Sequence, residues 1–266
     1  MIRHIFSDMD GTLLNSTGHV SFNNIQGIKK SGIPFTLVSA RAPMEMAETI
    51  EKLNLIDPQI AFNGGLIFQW VQKGLKVLRS DPLDLTDIKA IVQLVKKDFP
   101  NVSCSCYDLN NWYDEKVDRG IRYESKMTGQ CPRLIDYTKL LVADNSFYKI
   151  MLITFDPNEI ERLNQKLIDL KLAGISIKQS GNEYLEITSR KAQKSKGIHY
   201  IQNLEKLAIE EMAAFGDGHN DLPMLKSVGT PIVMGNALQE IKPHGKFITK
   251  TNDNDGVIFG IENYLK

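Results

Sequence analysis

Residues 2–12 read IRHIFSDMDGT: a short, mostly apolar run that stops at Asp8 and turns at Gly11. A run of that length, closed by polar residues and glycine, is the pattern of a buried strand. The pattern recurs along the chain. Residues 33–38 (IPFTLV) end at Ser39, residues 60–62 (IAF) end at Asn63-Gly64-Gly65, and MAAF stops at Gly216-Asp217. IVM stops at Gly235-Asn236, and FIT follows at 247–249. Helix-forming segments such as 43–53 (PMEMAETIEKL) lie between several of these runs. Strand, helix and strand at this spacing predict an α/β fold with a doubly wound parallel sheet.

The middle of the chain has a different texture. After Asp81-Pro82, Leu85, Ile88, Val92, Val95 and Phe99 fall at helical spacing. Residues 157–172 repeat it with Ile160, Leu163, Leu167 and Leu170, and Asp156 or Pro157 marks the start. Strand candidates at 102–107, 147–155, 175–179 and 184–188 surround the two helices. Residues 82–188 therefore read as an α/β module inserted into a core made of 1–81 and 189–266, with the lysine-rich stretch 190–196 (RKAQKSK) as the return linker.

Composition narrows the classes. The 266 residues are 42% hydrophobic and 24% charged, which is ordinary globular usage and argues against a disordered or fibrous chain. Lys and Arg together number 32, as do Asp and Glu, so no net field draws the protein to nucleic acid or to an anionic membrane. Three cysteines, Cys104, Cys106 and Cys131, are too few and too odd for a disulfide scaffold. Cys104 and Cys106 share a strand face and read as core packing rather than as a zinc site. No stretch reaches the ~18 apolar residues of a membrane span. The start lacks the pattern of a signal peptide, so the expected location is the cytoplasm.

Chemistry concentrates where the strands end. Asp8 and Asp10 sit at a carboxyl end, where open α/β sheets bind ligands. Two carboxylates that close repel unless a cation lies between them, and an oxygen-rich site of this kind suits Mg²⁺. Gly216-Asp217-Gly218-His219-Asn220-Asp221 places a second acidic group after another strand, with glycines that allow a tight turn. Ser39-Ala40-Arg41 ends the second strand and opens a helix, offering a hydroxyl and amides to an anion. Lys196 before Gly197 supplies a cation, with Lys191 and Lys194 as rivals. Each motif alone has a plain structural reading, as an acidic turn, a helix cap or a solvated lysine. Together they make a phosphate and Mg²⁺ site. A carboxylate there can attack phosphorus while metal and lysine hold the equatorial oxygens. His219 reads as a solvent-facing loop position, and His4, His19, His199 and His244 show no partner pattern.

DMDGT, SAR, KG and GDGHND occur in the order of the four motifs of the haloacid dehalogenase-like (HAD) superfamily, which this chain resembles over its whole length. The insert between the second and third motifs looks like the large α/β cap of the Cof-like phosphatase branch. Asn63-Gly64-Gly65, Met234-Gly235-Asn236-Ala237 and Asn252-Asp253-Asn254-Asp255-Gly256-Val257 are also similar to that branch. The resemblance implies a Rossmann-like core and a Mg²⁺-dependent phosphatase of small phosphorylated metabolites, sugar or cofactor phosphates, acting through an aspartyl-phosphate. It implies Asp8 as nucleophile and Asp10 as general acid and then base. Mg²⁺ would be held by the Asp8 side chain, the Asp10 carbonyl and Asp217, with Asp221 supporting the metal site from behind. The phosphoryl group would meet Ser39, the Ala40 amide, Lys196, Asn220 and the Met9 backbone amide. The proton inventory supports Asp10 independently, since it lies two residues from Asp8 and a leaving alcohol needs a proton.

A cap of this kind would cover the metal site, exclude water and contact the leaving group, so substrate choice is expected in the cap. Residues 107–114 (YDLNNWYD) and 180–186 (SGNEYLE) are the candidate recognition surfaces. The expected partner is a small-molecule phosphate ester, with no nucleic acid and no membrane. Two alternatives share the motifs: a phosphomutase or phosphotransferase, in which another alcohol takes the phosphoryl group, and a regulatory module phosphorylated on Asp8. Asp10 argues against the second, because a base there shortens the life of a phospho-aspartate.

Overall fold

The strand His4–Ser7 is buried along its whole length and pairs in parallel on both sides, with Phe35–Leu37 and with Met212–Gly216. Thr230–Val233 and Phe247–Ile248 extend the sheet beyond Met212–Gly216, again in parallel. The five strands thus run in the order 247–248, 230–233, 212–216, 4–7, 35–37. A sheet buried on both faces needs near-continuous apolar strands, which is why these segments read so clearly in the sequence. His4 is the polar exception, and it is satisfied: Nδ1 meets Glu205 Oε2 at 2.9 Å and Nε2 meets Thr36 Oγ1 at 2.9 Å. The sequence shows no partner pattern for His4 because both partners come from segments remote in sequence.

The computed structural model describes residues 1–71, 74–142 and 145–265. The chain divides into two units. The first comprises Met1–Arg41, Met46–Ser80 and Gln193–Lys266; the second comprises Ala42–Glu45 and Asp81–Ala192. Against the sequence-based boundaries, Asp81, residues 189–192 and the first turn of the helix Pro43–Leu53 group with the second unit. The strand Tyr184–Ser189 carries its sheet to Ser189, and the Ala192 amide then folds back onto the Ser189 carbonyl at 2.9 Å.

In the first unit, Gln59–Ala61 does not simply extend the parallel sheet. It touches it through one parallel bridge, Val38 to Ile60, and heads a three-stranded antiparallel sheet with Leu66–Val71 and Gly74–Ser80. The helix Phe22–Ser31 begins at Ser21, whose hydroxyl accepts the Asn24 amide, and ends at left-handed Gly32. It lies against the helix Gly256–Tyr264: a Cβ on Gly27 would stand 2.1 Å from Ile258 Cδ1, and the Asn24 side chain accepts the Ile258 amide at 2.9 Å. The expected linker 190–196 is in part helix, since Lys194–Glu205 starts within it.

The second unit is built on a six-stranded sheet. Its order is 175–180, 184–189, 149–153, 103–107, 112–114, 133–134, antiparallel except for the last pair. The helices Leu85–Asp98 and Pro157–Asp169 bury Ile88, Val92, Val95, Ile160, Leu163 and Leu167 in one core. Cys106, Ile150, Leu152, Leu185 and Ile187 join that core from one face of the sheet. Cys104 packs against it, so the cysteine pair is core, as expected. Side chains alternate along a strand. The opposite face therefore carries Ser103, Ser105, Tyr107, Lys149, Met151, Tyr184 and Glu186. The helix Arg119–Thr128 lies against the Ser103 end of that face, where a Cβ on Gly120 would stand 2.3 Å from Ser103 Oγ. Sequence periodicity passes over this helix because its buried side is only Gly120, Ile121 and Glu124. Among the described residues, no helix is long and apolar enough to cross a membrane.

Candidate active site

Parallel neighbours end at the same edge, and this brings the two acidic motifs together. Ser7 stands opposite Phe215, and the Asp8 amide donates to the Phe215 carbonyl at 3.0 Å. Asp8 and Asp217 each leave their strand at that edge. Gly216 leaves room for the turn, since a Cβ there would stand 2.6 Å from the Asp221 Cβ. One carboxylate oxygen of Asp8, Asp217 and Asp221 each lies within 4.8 Å of the others. The arrangement is tied from several sides. Asp221 Oδ2 accepts the Asp217 and Gly218 amides at 3.0 and 2.9 Å. Thr12 Oγ1 donates to Asp217 Oδ1 at 2.7 Å. Gly11 has φ of +76°, and a Cβ there would stand 2.5 Å from Asp217 Oδ2, so conformation and space both require glycine.

The cation in this group is Lys194. Its Nζ donates to Asp8 Oδ1 at 2.5 Å and to Asp221 Oδ1 at 2.7 Å, and all three side chains are buried. Lys196, the sequence-based choice, has no hydrogen bond or ion pair to Asp8 among the described residues. Helix geometry explains the change: two residues further on is a rotation of ~200° about the helix axis, away from the carboxylates. The approach of this helix depends on Gly64, which has φ of +97° and would place a Cβ 2.3 Å from the Gln193 carbonyl oxygen. The Asn63-Gly64-Gly65 motif therefore positions the residue just before Lys194. Asn63 itself donates its amide to the Ser39 carbonyl at 2.8 Å. The preceding residue, Phe62, is buried at φ of +50°, a left-handed conformation unusual for so bulky a residue.

Electrostatics follow from burial. Burial pushes the Asp8 carboxyl well above the usual carboxylate range; the Asp221 charge adds to the rise and Lys194 opposes it. Asp217 is pushed up to about 6, chiefly by burial, with the Thr12 hydrogen bond opposing. Burial alone would lower the Lys194 ammonium, but the Asp221 and Asp8 charges outweigh it and hold it raised. Three carboxylates against one ammonium leave two negative charges uncompensated when all are ionised. A hard divalent cation with oxygen ligands fits that donor set and that charge. Asp8 and Asp217 are the side chains with capacity to hold it. Both Asp221 oxygens are already engaged, by Lys194 and by two amides, so Asp221 fits a supporting place.

The remaining sequence-predicted residues divide. Ser39 is buried, and its Oγ accepts the Arg41 amide at 3.1 Å. Met9 is buried, and its carbonyl accepts the Thr12 and Leu14 amides at 3.2 and 2.8 Å. Ala40 is half-buried beside Ser39, and Asn220 is exposed with its side chain folded over Gly218. Asp10 stands outside the buried carboxylate group. Its exposed carboxylate is gripped by Arg41, with Nε at 2.9 Å and Nη2 at 2.6 Å. Arg41 and Thr12 received no role from the sequence, although both lie inside its motifs. His219 is exposed, as expected, and faces Glu240 at 3.3 Å. The glycine- and asparagine-rich segments near the end clamp the loop after the first strand. Asn236 Nδ2 donates to the Gly11 carbonyl at 2.7 Å, Asn252 Nδ2 to the Leu14 carbonyl at 2.9 Å, and Asp253 accepts the Ser16 amide at 2.7 Å.

Comparison with known proteins gives one answer at three levels. The family model described as haloacid dehalogenase-like hydrolase matches residues 5–261. A Haemophilus influenzae protein named "Putative phosphatase" is 30% identical over 266 residues, covering 98% of each chain. The 5-amino-6-(5-phospho-D-ribitylamino)uracil phosphatase YwtE of Bacillus subtilis is 26% identical over 284 residues, covering 97% of this chain and 96% of its own. A solved haloacid dehalogenase-like hydrolase from Bacteroides thetaiotaomicron has the same fold, with a TM-score of 0.89 at 24% identity over 98% of this chain and 99% of its own.

Proposed function

The chain belongs to the haloacid dehalogenase-like hydrolases, as a phosphatase of the Cof-like branch, and from that premise we propose that it hydrolyses small phosphorylated metabolites, with Mg²⁺ bound, through an aspartyl-phosphate on Asp8. One observation carries the reading: Asp8 is buried against Lys194 while sharing a carboxylate group with Asp217 and Asp221. The named substrate of the Bacillus subtilis relative, a phosphate ester on a ribityl chain, supports the substrate class.

Asp8 and Asp217 would hold the ion, which would supply charge neutralisation for the nucleophile and for the phosphoryl oxygens. An Asp8 carboxylate oxygen bonds to phosphorus as the bond from phosphorus to the ester oxygen breaks. Asp10 gives its proton to that departing oxygen. Water then bonds to phosphorus, Asp10 takes the water's proton, and the bond from Asp8 to phosphorus breaks. Lys194 stays protonated throughout, because two anionic partners raise it, and it offers N–H donors to the phosphoryl group. Arg41 orients Asp10 through its two-pronged contact and must yield when the acid carries its proton. Ser39 and the backbone at Met9 and Ala40 offer donors to the remaining oxygens.

The test is phosphate release from p-nitrophenyl phosphate. Asp8→Asn keeps the shape and removes the nucleophilic charge, and the expected loss is at least about 10³-fold. Removal of Mg²⁺ by a chelator stops the wild-type reaction, and added Mg²⁺ restores it. A variant that keeps more than a few per cent of wild-type activity overturns the assignment of Asp8, and a rate indifferent to chelation overturns the metal.

A further inference from the structure

The motifs Met234-Gly235-Asn236-Ala237 and 252–257 hold no group that the proposed reaction uses. Both belong to the first unit, and both reach the loop that follows the strand His4–Ser7. Asn236 Nδ2 donates to the Gly11 carbonyl at 2.7 Å, and Asn236 Oδ1 accepts the Asn252 amide at 3.0 Å. Asn252 in turn donates Nδ2 to the Leu14 carbonyl at 2.9 Å. The backbone under Asn236 is fastened at two points. The Met234 amide donates to the Gly216 carbonyl at 3.0 Å, and the Gly235 amide donates to the Lys250 carbonyl at 3.0 Å. Asn236 thus ties the end of the strand that precedes Asp217 to the turn that carries Asp10 and Thr12.

The polarity of the two partners explains the residue type. One is a carbonyl and the other an N–H, so the side chain has to donate at one end and accept at the other. What needs holding is Asp10. Its exposed carboxylate bonds to Arg41 and to no other group among the described residues. That grip is on the anion, and it loosens when Asp10 carries the proton that the departing oxygen needs. The backbone at 9–12 then sets where the acid points. In this turn the Met9 carbonyl accepts the Thr12 and Leu14 amides at 3.2 and 2.8 Å. The Gly11 carbonyl and the Thr12 amide are opposite ends of one planar peptide link, so Asn236 and Met9 hold that link from both sides. Thr12 has a side-chain anchor as well, its hydroxyl donating to Asp217 Oδ1 at 2.7 Å. Asp10 has none beyond Arg41 among the described residues.

We propose that Asn236 is a positioning residue for the proton transfers of Asp10, with Asn252 bracing it from behind. By holding the Gly11 carbonyl, Asn236 keeps Asp10 aligned with Asp8 whether or not Arg41 is engaged. The inference deepens the phosphatase reading and rests on it for its kinetic test, and an exchange measurement separates the two. Attack of Asp8 on phosphorus needs no proton when the departing group is a stabilised aryl oxide. It needs the Asp10 proton when the departing group is an alkoxide. Loss of the Asn236 donor therefore sorts esters by their leaving groups, which a general loosening of the site would not do.

With Mg²⁺ present, kcat/KM is measured for an alkyl ester, hexose 6-phosphate, and for an aryl ester, p-nitrophenyl phosphate. Asn236→Asp keeps an oxygen for the Asn252 amide and removes the donor to Gly11. Its kcat/KM is expected to fall by at least about tenfold on the alkyl ester and to stay within about twofold on the aryl ester. Asn236→Leu is the second variant. It has the same shape and adds no charge, and the same pattern is expected. Equal losses on both esters, or no loss on the alkyl ester, overturn the proposal. Amide hydrogen exchange gives the independent reading. Thr12 and Leu14 are expected to exchange at least about tenfold faster in either variant, while the strand His4–Ser7 keeps its wild-type rates. Faster exchange in a protein that releases no phosphate retains the hold of Asn236 on the turn and defeats the phosphatase reading. Turnover with exchange and ester preference unchanged by either variant does the reverse.

Discussion

Two buried lysines, one in each unit, stand among carboxylates in opposite ways. Lys194 is closed: it donates to Asp8 and Asp221 at 2.5 and 2.7 Å, and Asp221 passes its other oxygen to two amides. Lys149 is open: among the described residues its ion-pair carboxylate is 3.8 Å away, it lies over an aromatic ring, and two donors beside it have no hydrogen-bond partner. The contrast teaches where each unit is specified. The carboxylates around Lys194 are held by hydrogen bonds from the chain itself, whereas the polar face around Lys149 keeps buried donors unpaired among the described residues.

The strongest way to break the comparison is to remove each lysine. Lys194→Met leaves Asp8 and Asp221 buried without their cation, and a loss of about 3–5 kcal/mol is expected in urea unfolding. Lys149→Met loses no hydrogen bond among the described residues and should cost less than Lys194→Met. Equal losses would erase the distinction between closed and open. Gly64→Ala comes next, acting on the closed site through the backbone. A left-handed alanine pressed on the Gln193 carbonyl should cost about 2–4 kcal/mol, and it should lower kcat by moving Lys194.

A smaller effect sharpens the open side. Asp114, on the edge of the polar face, is pushed up to about 6, first by burial, against hydrogen bonds from the Lys116 amide, the Ser105 hydroxyl and the Glu115 amide. Its folded-state value lies above its unfolded value, so the folded state binds the proton more tightly. That contribution is fully present below about pH 4 and is lost as pH rises through about 6. Relative to Asp114→Asn, wild-type stability should fall by about 2–3 kcal/mol between those limits, read from denaturant midpoints at each pH. A flat difference would show that Asp114 is not desolvated by this face.

Legibility differs between the units for a physical reason. The parallel sheet is covered on both faces, so its strands are continuous apolar runs and stand out, and the helices Leu85–Asp98 and Pro157–Asp169 show a plain apolar stripe. The strands Leu66–Val71 and Gly74–Ser80 do not, because mixed burial blurs their alternation, and Trp112–Asp114, buried at all three positions, is too short to show one. In the site, Asp8, Asp217 and Asp221 were readable as motif residues at strand ends. Lys194 was readable only as one of three lysines, and Arg41 only as part of a motif.

Sequence alone determined which strands end in acidic groups, since burial imposes an apolar pattern and the polar stop marks its edge. It also marked the change of texture after Asp81-Pro82, because a change of periodicity marks a change of architecture. Tertiary structure decided which lysine meets Asp8, through the angle at which a helix starts against Gly64. It also decided that Tyr107, Trp112 and Lys149 share one face. Strand register fixes those neighbours, and register is a relation between distant segments that no local pattern encodes.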